Sequence, residues 1–439
     1  MINIDIIGGG PAGLASAYFA KMNGIPFQLF ESGSKVGGNC KTLEFDGCKY
    51  DVGAHRFHNK NRIATDTVKR LLGNDLLSVT APSKISWHGK MINFPLEPVS
   101  FIKSFNRSDI YKIIKENLFK IFLHSANIDN FRDLAYRQYG KTISDIFLIS
   151  YTEKLWGISS DLLHHNVSGD RLKNLNLLTI LKSLINPNSK NTKHLEGQFY
   201  YPKKGYGQIF DKIETYISDH INYNSSIEKI LHHNGQIKEI ELPGSIKHKV
   251  NNLFSTLPID NFINSLDPKP PKEIMNNIHS FTFRNLRLAI ITLKTDRFSN
   301  NASIYYPEKN VPFTRIYEPK NRSIDMAPKN KTCIIVEVPC SKEDKYYTMK
   351  ENEFLDQIKS LLISNNIINE SIFMKSSSLI MQNAYPLITT KSQKILNDVI
   401  HYLNSFNNLS IIGRNAQFKY LHTHHLFEIA HHRINHLLK

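Results

Sequence analysis

The chain has 439 residues, 41% of them apolar and 21% charged, which is enough for two or three packed domains and too apolar for wholesale disorder. No apolar run is long enough to cross a bilayer, and four cysteines without a Cys-x-x-Cys pair exclude a disulfide scaffold. The net charge of +16 would draw polyanions, but no helix-turn-helix, zinc-finger or aromatic RNA-binding pattern goes with it, so no nucleic-acid partner is expected.

Residues 2–7 alternate and then run apolar, which predicts a buried strand. No basic stretch precedes them, so no signal peptide is expected and the protein is placed in the cytoplasm. After the turn Gly8-Gly9-Gly10-Pro11-Ala12-Gly13 comes a small apolar helix over 14–22, then a second strand over 26–30 that ends at Glu31. Residues 99–148 carry apolar side chains at helical spacing (Ile110, Ile113, Ile114, Leu118, Ile121, Phe122), which predicts a helical insertion. A polar stretch over 186–193 reads as an exposed loop. Residues 222–254, with an Asn234-Gly235 turn, predict a β-meander, and 281–338 is strand-rich, with alternation in 286–293 and 332–338. Helices are expected at 351–362 and 391–403, then a short strand over 409–412 ending at Gly413, and a closing helix.

The opening strand, turn, helix and strand form a β-α-β unit with the G-x-G-x-x-G spacing of a dinucleotide site. Gly8 allows the tight turn, Gly10 lets backbone approach a pyrophosphate, and Gly13 lets the helix lie close to the strand. The pyrophosphate would rest on the helix N-terminus at Gly10, Pro11, Ala12 and Gly13, and Glu31 would hold ribose hydroxyls. A second glycine pair follows in Gly37-Gly38-Asn39. It resembles the extended motif of the FAD-dependent amine oxidase and mutase superfamily, which implies FAD rather than NAD.

Further islands resemble the UDP-galactopyranose mutase family, in the family's order. They are Gly53-Ala54-His55-Arg56-Phe57-His58, Tyr151-Thr152-Glu153-Lys154-Leu155-Trp156-Gly157, Val311-Pro312-Phe313-Thr314-Arg315-Ile316, Tyr385-Pro386, Gly413-Arg414 and Phe418-Lys419-Tyr420. The resemblance implies that Arg315 and Arg414 hold the substrate's diphosphate, helped by hydroxyls of Tyr385 and Tyr420. Tyr151 and Trp156 would offer flat faces to the uracil or sugar, and Arg171 a further phosphate contact. His55 and His58 would lie near the isoalloxazine, with His58 in the catalytic set. Gly413 and Arg414 would also touch the cofactor.

The implied fold is α/β: a discontinuous Rossmann-like FAD-binding domain (1–79, 205–270, 391–439), a mixed-sheet substrate domain (80–97, 151–204, 271–390) and a helical insertion (98–150). The implied activity is a pyranose–furanose interconversion of a nucleotide-diphosphate sugar by reduced-flavin covalent catalysis, with NAD(P)H reducing the flavin. The alternative is an FAD-dependent oxidase or dehydrogenase acting on a sugar, amine or ring substrate. The oligomeric state stays open, a homo-oligomer included. No acidic or cysteine ligand set completes a geometry around the five histidines from His422 to His432, so no metal is expected. Where the family carries acids, this chain has His422 and His424, and Ala54 and Arg56 also depart from its pattern. These departures point away from plain UDP-galactopyranose as the preferred substrate.

Overall fold

A computed structural model describes residues 2–94, 107–119, 128–168 and 198–438. The rest, including Arg171, the 186–193 loop and parts of the expected helical insertion, lie outside the described residues.

The expected α/β architecture is present. A five-stranded parallel sheet runs in the order Leu409–Ile411, Asn252–Ser255, Ile4–Ile7, Phe27–Phe30, Ile221–Asn222. Ile4–Ile7 is the central strand and is buried throughout, as a parallel strand covered on both faces must be. Its one polar residue, Asp5, is fully buried and accepts from His248 Nε2 at 2.7 Å. The Pro11–Met22 helix packs on this sheet. It starts three residues earlier than the apolar pattern indicates, because Pro11 supplies a first-turn residue that needs no amide partner. Its run of Ala, Gly and Leu is buried on nearly every side, with the Gln208–Ile217 and Thr423–Leu437 helices against it.

The second layer is a seven-stranded mixed sheet in the order Phe373–Pro386, Phe283–Leu293, Thr332–Cys340, Arg315–Tyr317, Ser303–Tyr305, Ser83–Trp87, Lys90–Phe94. Phe283–Leu293 and Thr332–Cys340 are buried almost end to end, and the Glu351–Ser364 helix covers one face through Phe354, Leu355, Ile358 and Leu362. Between Arg284 and Leu286 the pairing with Phe373–Pro386 shifts register, so Gln382, Asn383 and Ala384 bulge out just before Tyr385.

One expectation needs correction. The meander is a smaller unit, Lys229–His233, Gln236–Leu242 and Ile246–Lys249, and Asn252–Ser255 leaves it to pair in parallel with Ile4–Ile7. Its buried Leu253, Phe254 and Ser255 need a sheet covered on both faces, which the meander, buried on one face and ending in the largely exposed Ile246–Lys249, does not offer. The 14-residue strand Phe373–Pro386 lies between the two expected helices, in a stretch of the expected sheet domain for which the pattern predicts no particular element.

The helical segment near residue 150 is continuous. Lys141–Ile143, a π-helical turn over Ser144–Ile149 and Ser150–Trp156 follow one another, and Gly157 at φ +75° ends the run.

Candidate active site

The parallel sheet places four chain reversals side by side at the C-terminal ends of its strands: Gly8, Glu31, Thr256 and Gly413. This edge is where open α/β sheets take ligands. Gly8 sits at φ +94° and its amide donates to the Phe30 carbonyl; a Cβ there would fall 2.1 Å from Thr256 Oγ1. A Cβ on Gly13 would fall 1.9 Å from the Gly8 carbonyl oxygen, so helix and turn touch backbone to backbone. Gly10 differs: a Cβ there would meet no protein atom within 4 Å. The space in front of the helix N-terminus is therefore open, and the first turn holds no acidic residue and no side-chain cap.

Glu31 closes this cradle from the side. Its carboxylate accepts from the Gly9 amide at 2.7 Å and the Gly33 amide at 2.8 Å, which fixes the group at the end of its strand. The second glycine pair folds back onto the turn. Gly37 donates to the Gly9 carbonyl at 2.8 Å, and a Cβ on Gly38 would lie 3.2 Å from Gly10 Cα. Asn39 reaches the other way, donating to the Gln382 carbonyl in the bulge at 2.9 Å. Gly413, at φ +115°, lies over Ala12. An open helix N-terminus, a close backbone approach at Gly38 and a fixed acid fit the adenosine diphosphate half of FAD.

Between the two sheets runs the segment Gly53–His58, anchored by the buried Asp51. Asp51 accepts from Thr42 Oγ1, Tyr201 Oη and the Tyr206 amide. His55 Nε2 faces the Asn39 and Val52 carbonyls, both at 2.9 Å, so that nitrogen carries a proton; its ring stacks on Tyr206. Burial opposes charge on His55, but the Cys40 sulfur, Asp51 and the Asn39 carbonyl outweigh it and raise the imidazole to about 9. His58 goes the other way. Burial, with Arg56 and Lys60 nearby, holds it down at about 4, against the Phe199 ring.

Arg56 points to the sheet junction, donating to Ser83 Oγ at 2.8 Å and lying over Phe199. Arg322, which the sequence did not single out, is buried behind His55. It donates to the His55 carbonyl at 3.2 Å and sits over the Tyr317 ring.

The two arginines expected to bind phosphate are held in contrasting ways. Arg315 Nε and Nη2 each donate to Glu337 at 2.7 Å, a bidentate pair with Glu337 2% exposed. Glu337 Oε1 also accepts from the Ala54 amide at 3.1 Å, which ties Arg315 to the Gly53–His58 segment. Glu337 carried no signal in the sequence: it is one acid in an otherwise apolar strand. Among the described residues no carboxylate pairs with the Arg414 guanidinium. Nε and Nη2 donate to the Leu421 carbonyl at 2.8 and 2.6 Å, and Nη1 to the Ala384 carbonyl at 3.2 Å. Its charge is thus not neutralised, and one N–H on each of Nη1 and Nη2 remains available.

Arg414 gathers the aromatic residues. Its guanidinium lies over the Tyr420 ring at 5.1 Å and the Tyr385 ring at 5.8 Å, and the two tyrosines stack on each other. Trp156 backs both rings and is only 3% exposed, so it forms a wall rather than an open platform. His422 meets Tyr420 edge-on at 5.3 Å and stacks on His424. Tyr151 lies on the other side, edge-on to Tyr305, over which Arg315 also lies. Tyr151 and Trp156 stand on one helix, so their contacts with Tyr305 and Tyr385 bring the two groups together, and both tyrosines act on the Arg315 charge.

The bulge aims Tyr385. Asn383 takes a left-handed φ of 49°; its amide donates to Asn285 Oδ1 and its carbonyl accepts from Asn415 Nδ2. Among the described residues no cluster of histidine, cysteine and acidic groups could hold a metal.

The family model of UDP-galactopyranose mutase matches residues 146–374, just over half of the chain, and that of a NAD(P)-binding Rossmann-like domain matches residues 6–71. A crystal structure of reduced UDP-galactopyranose mutase is similar over 100% of this chain and 96% of its own, with a TM-score of 0.87 at 20% identity. A candidate protoporphyrinogen oxidase from an Exiguobacterium species is similar over 99% of this chain and 98% of its own, with a TM-score of 0.78 at 15% identity. At such identities these likenesses establish the fold. Mitochondrial protoporphyrinogen oxidase of Nicotiana tabacum is 26% identical over 43% of this chain and 40% of its own length. Ferredoxin–NADP reductase of Pediococcus pentosaceus is 36% identical over 17% of this chain and 24% of its own. The match thus spans less than half the length of either curated relative.

Proposed function

The chain belongs to the UDP-galactopyranose mutase family, and from that premise we propose that it is an FAD-dependent nucleotide-sugar mutase, interconverting pyranose and furanose forms of the sugar. The observation that carries this reading is the convergence of Arg315, Arg414, Tyr385 and Tyr420 beside the dinucleotide cradle. When bound, the reduced isoalloxazine would supply the nucleophile for the anomeric carbon.

The chain's own residues do the rest. Arg414, with an uncompensated charge and two spare N–H groups, would draw the diphosphate to the tyrosine pair and hold it after the glycosidic bond breaks. Glu337 would keep Arg315's fork in one orientation and leave Nη1 to donate to phosphate. The Tyr385 and Tyr420 hydroxyls would add neutral donors to the same oxygens. His55, cationic over most of the pH range, would place a positive charge behind the Gly53–His58 segment. NAD(P)H is the proposed reductant, and turnover would leave the flavin reduced.

His422 deepens the reading of the substrate. An imidazole both donates and accepts, whereas a carboxylate only accepts and repels a second negative charge. Packed on Tyr420, it would favour a sugar with an acidic or altered ring substituent over galactose.

The test is anaerobic turnover of the dithionite-reduced holoenzyme with a panel of nucleotide sugars. We expect an isomer of unchanged mass from at least one, and the highest kcat/KM away from UDP-galactopyranose. His422→Asp should shift preference toward UDP-galactopyranose by about tenfold, the size of one lost or gained charged hydrogen bond. If UDP-galactopyranose is preferred by the wild type and His422→Asp changes nothing, the substrate reading is wrong. If no nucleotide sugar is isomerised, the mutase reading is wrong.

A further inference from the structure

Lys154 lies on the Ser150–Trp156 helix between Tyr151 and Trp156, and no step above uses it. Its Nζ donates to three main-chain carbonyls: Glu308 at 2.6 Å, Phe313 at 2.9 Å and Val311 at 3.0 Å. Burial pulls Lys154 down to about 7, and in its ammonium form it has three N–H donors and no acceptor, so three convergent carbonyls match it group for group and favour that form. A neutral or shorter side chain would leave at least one of these carbonyls unpaired.

Those carbonyls belong to the turn that delivers Arg315. Val311 and Phe313 are buried, Thr314 donates to the Glu337 carbonyl at 2.9 Å, and Arg315 follows with its fork on Glu337. The helix is fixed at its other points to different parts of the chain. Glu153 accepts from the Ser160 amide and hydroxyl, and the Leu155 carbonyl accepts from Arg284 Nε. Arg284 crosses over Gly157, where a Cβ would fall 2.6 Å from its Cζ. The helix end and the Arg315 turn are thus each rigid on their own side, and Lys154 joins them.

We propose that Lys154 is a positioning residue that sets the distance between the Trp156 wall and Arg315, and so the width of the nucleotide-diphosphate pocket. A methionine would fill the same volume but leave three carbonyls facing an apolar group, and the turn would move to find water.

The experiment uses the full-length, FAD-loaded protein in a Trp87→Phe background, where Trp156 is the one remaining tryptophan of two. UDP is the probe for the pocket, titrated by calorimetry; acrylamide quenching of Trp156 reports the wall without any ligand. Lys154→Met should raise the UDP Kd about tenfold or more, equivalent to about 1.4 kcal/mol, and raise the quenching constant. Lys154→Arg keeps a charged donor and should recover a large part of both. Should Lys154→Met lose its flavin, Lys154→Gln, which keeps polar donors, is measured in its place.

Wild-type quenching and UDP affinity in the Lys154→Met protein would overturn the proposal, as would equal losses in the Met and Arg variants. The UDP arm rests on the proposed function and the quenching arm does not. If wild type ignores UDP while Lys154→Met opens Trp156 and Lys154→Arg closes it, the positioning role stands and the nucleotide reading falls.

Discussion

Gly10 and Gly13 are three residues apart, yet a side chain at each should fail for a different reason. A Cβ on Gly13 strikes the Gly8 carbonyl, whereas one on Gly10 enters open space with φ at −74°, a value any residue adopts. Gly10→Val should therefore keep the wild-type Tm as apoprotein and lose FAD. Gly13→Val should lose stability first. Thermal melts of the apoproteins and flavin recovery from purified protein check both. An apo Gly10→Val that melts far below wild type would mean the open space is not the cofactor's.

Arg315 and Glu337 form a second residue-scale case. Removing one member of a buried ion pair costs about 3–5 kcal/mol because the other charge is left behind. Arg315→Ala should thus lower both Tm and kcat/KM. Arg315→Met/Glu337→Met should recover most of the Tm and none of the activity. If the double variant regains activity, Arg315 is structural rather than a phosphate ligand.

The glycines and Glu31 were legible because each answers a local demand of the backbone or of a strand end. Glu337 was not legible. Its partner is 22 residues away, and only the antiparallel pairing of Arg315 with Glu337 brings them together.

At the scale of elements, the Gly53–His58 segment carries two histidines with opposite leanings. His58 is held down at about 4 against an ordinary 6.5, so the unfolded chain takes up a proton first on acidification. Its contribution is present above pH 6.5 and is lost as pH falls toward 4. His55, raised to about 9, contributes fully below pH 6.5 and loses that contribution as pH rises through 9. From these two groups the apoprotein's Tm should peak near pH 6.5. His58→Gln should flatten the acid side and His55→Gln the alkaline side, read by thermal melts across pH 4–10. Unchanged slopes in both variants would contradict this.

The same scale shows what the amino-acid pattern hides. Phe373–Pro386 contains Lys375-Ser376-Ser377-Ser378 and is half-exposed along most of its length, so it lacks the alternation that marks a strand. It forms because Phe283–Leu293 offers it a full antiparallel edge. The bulge that aims Tyr385 depends on Asn285, Asn383 and Asn415, which come from two strands and a distant loop, so no local reading could assemble it.

For the whole molecule, the site lies where two sheets meet, and each sheet is stitched from distant segments. The ordered islands along the chain made the architecture readable, because together they follow one family's order from the first strand to the closing helix. The packing of Trp156 behind Tyr385 and Tyr420, and the sharing of Arg414 between Leu421 and Ala384, follow only from the assembled fold.

The central claim is that these parts serve an isomerisation with no net redox change, on a fold it shares with an oxidase-like protein. The most direct measurement counts electrons per turnover. Holoenzyme reduced once with limiting dithionite under nitrogen is given its best nucleotide sugar, and product and flavin absorbance are followed together. The account predicts many product molecules per reduced flavin, an unchanged product mass and a flavin still reduced at the end. Activity confined to the oxidised flavin, with one flavin reduced per product formed and a product two mass units lighter, would contradict it.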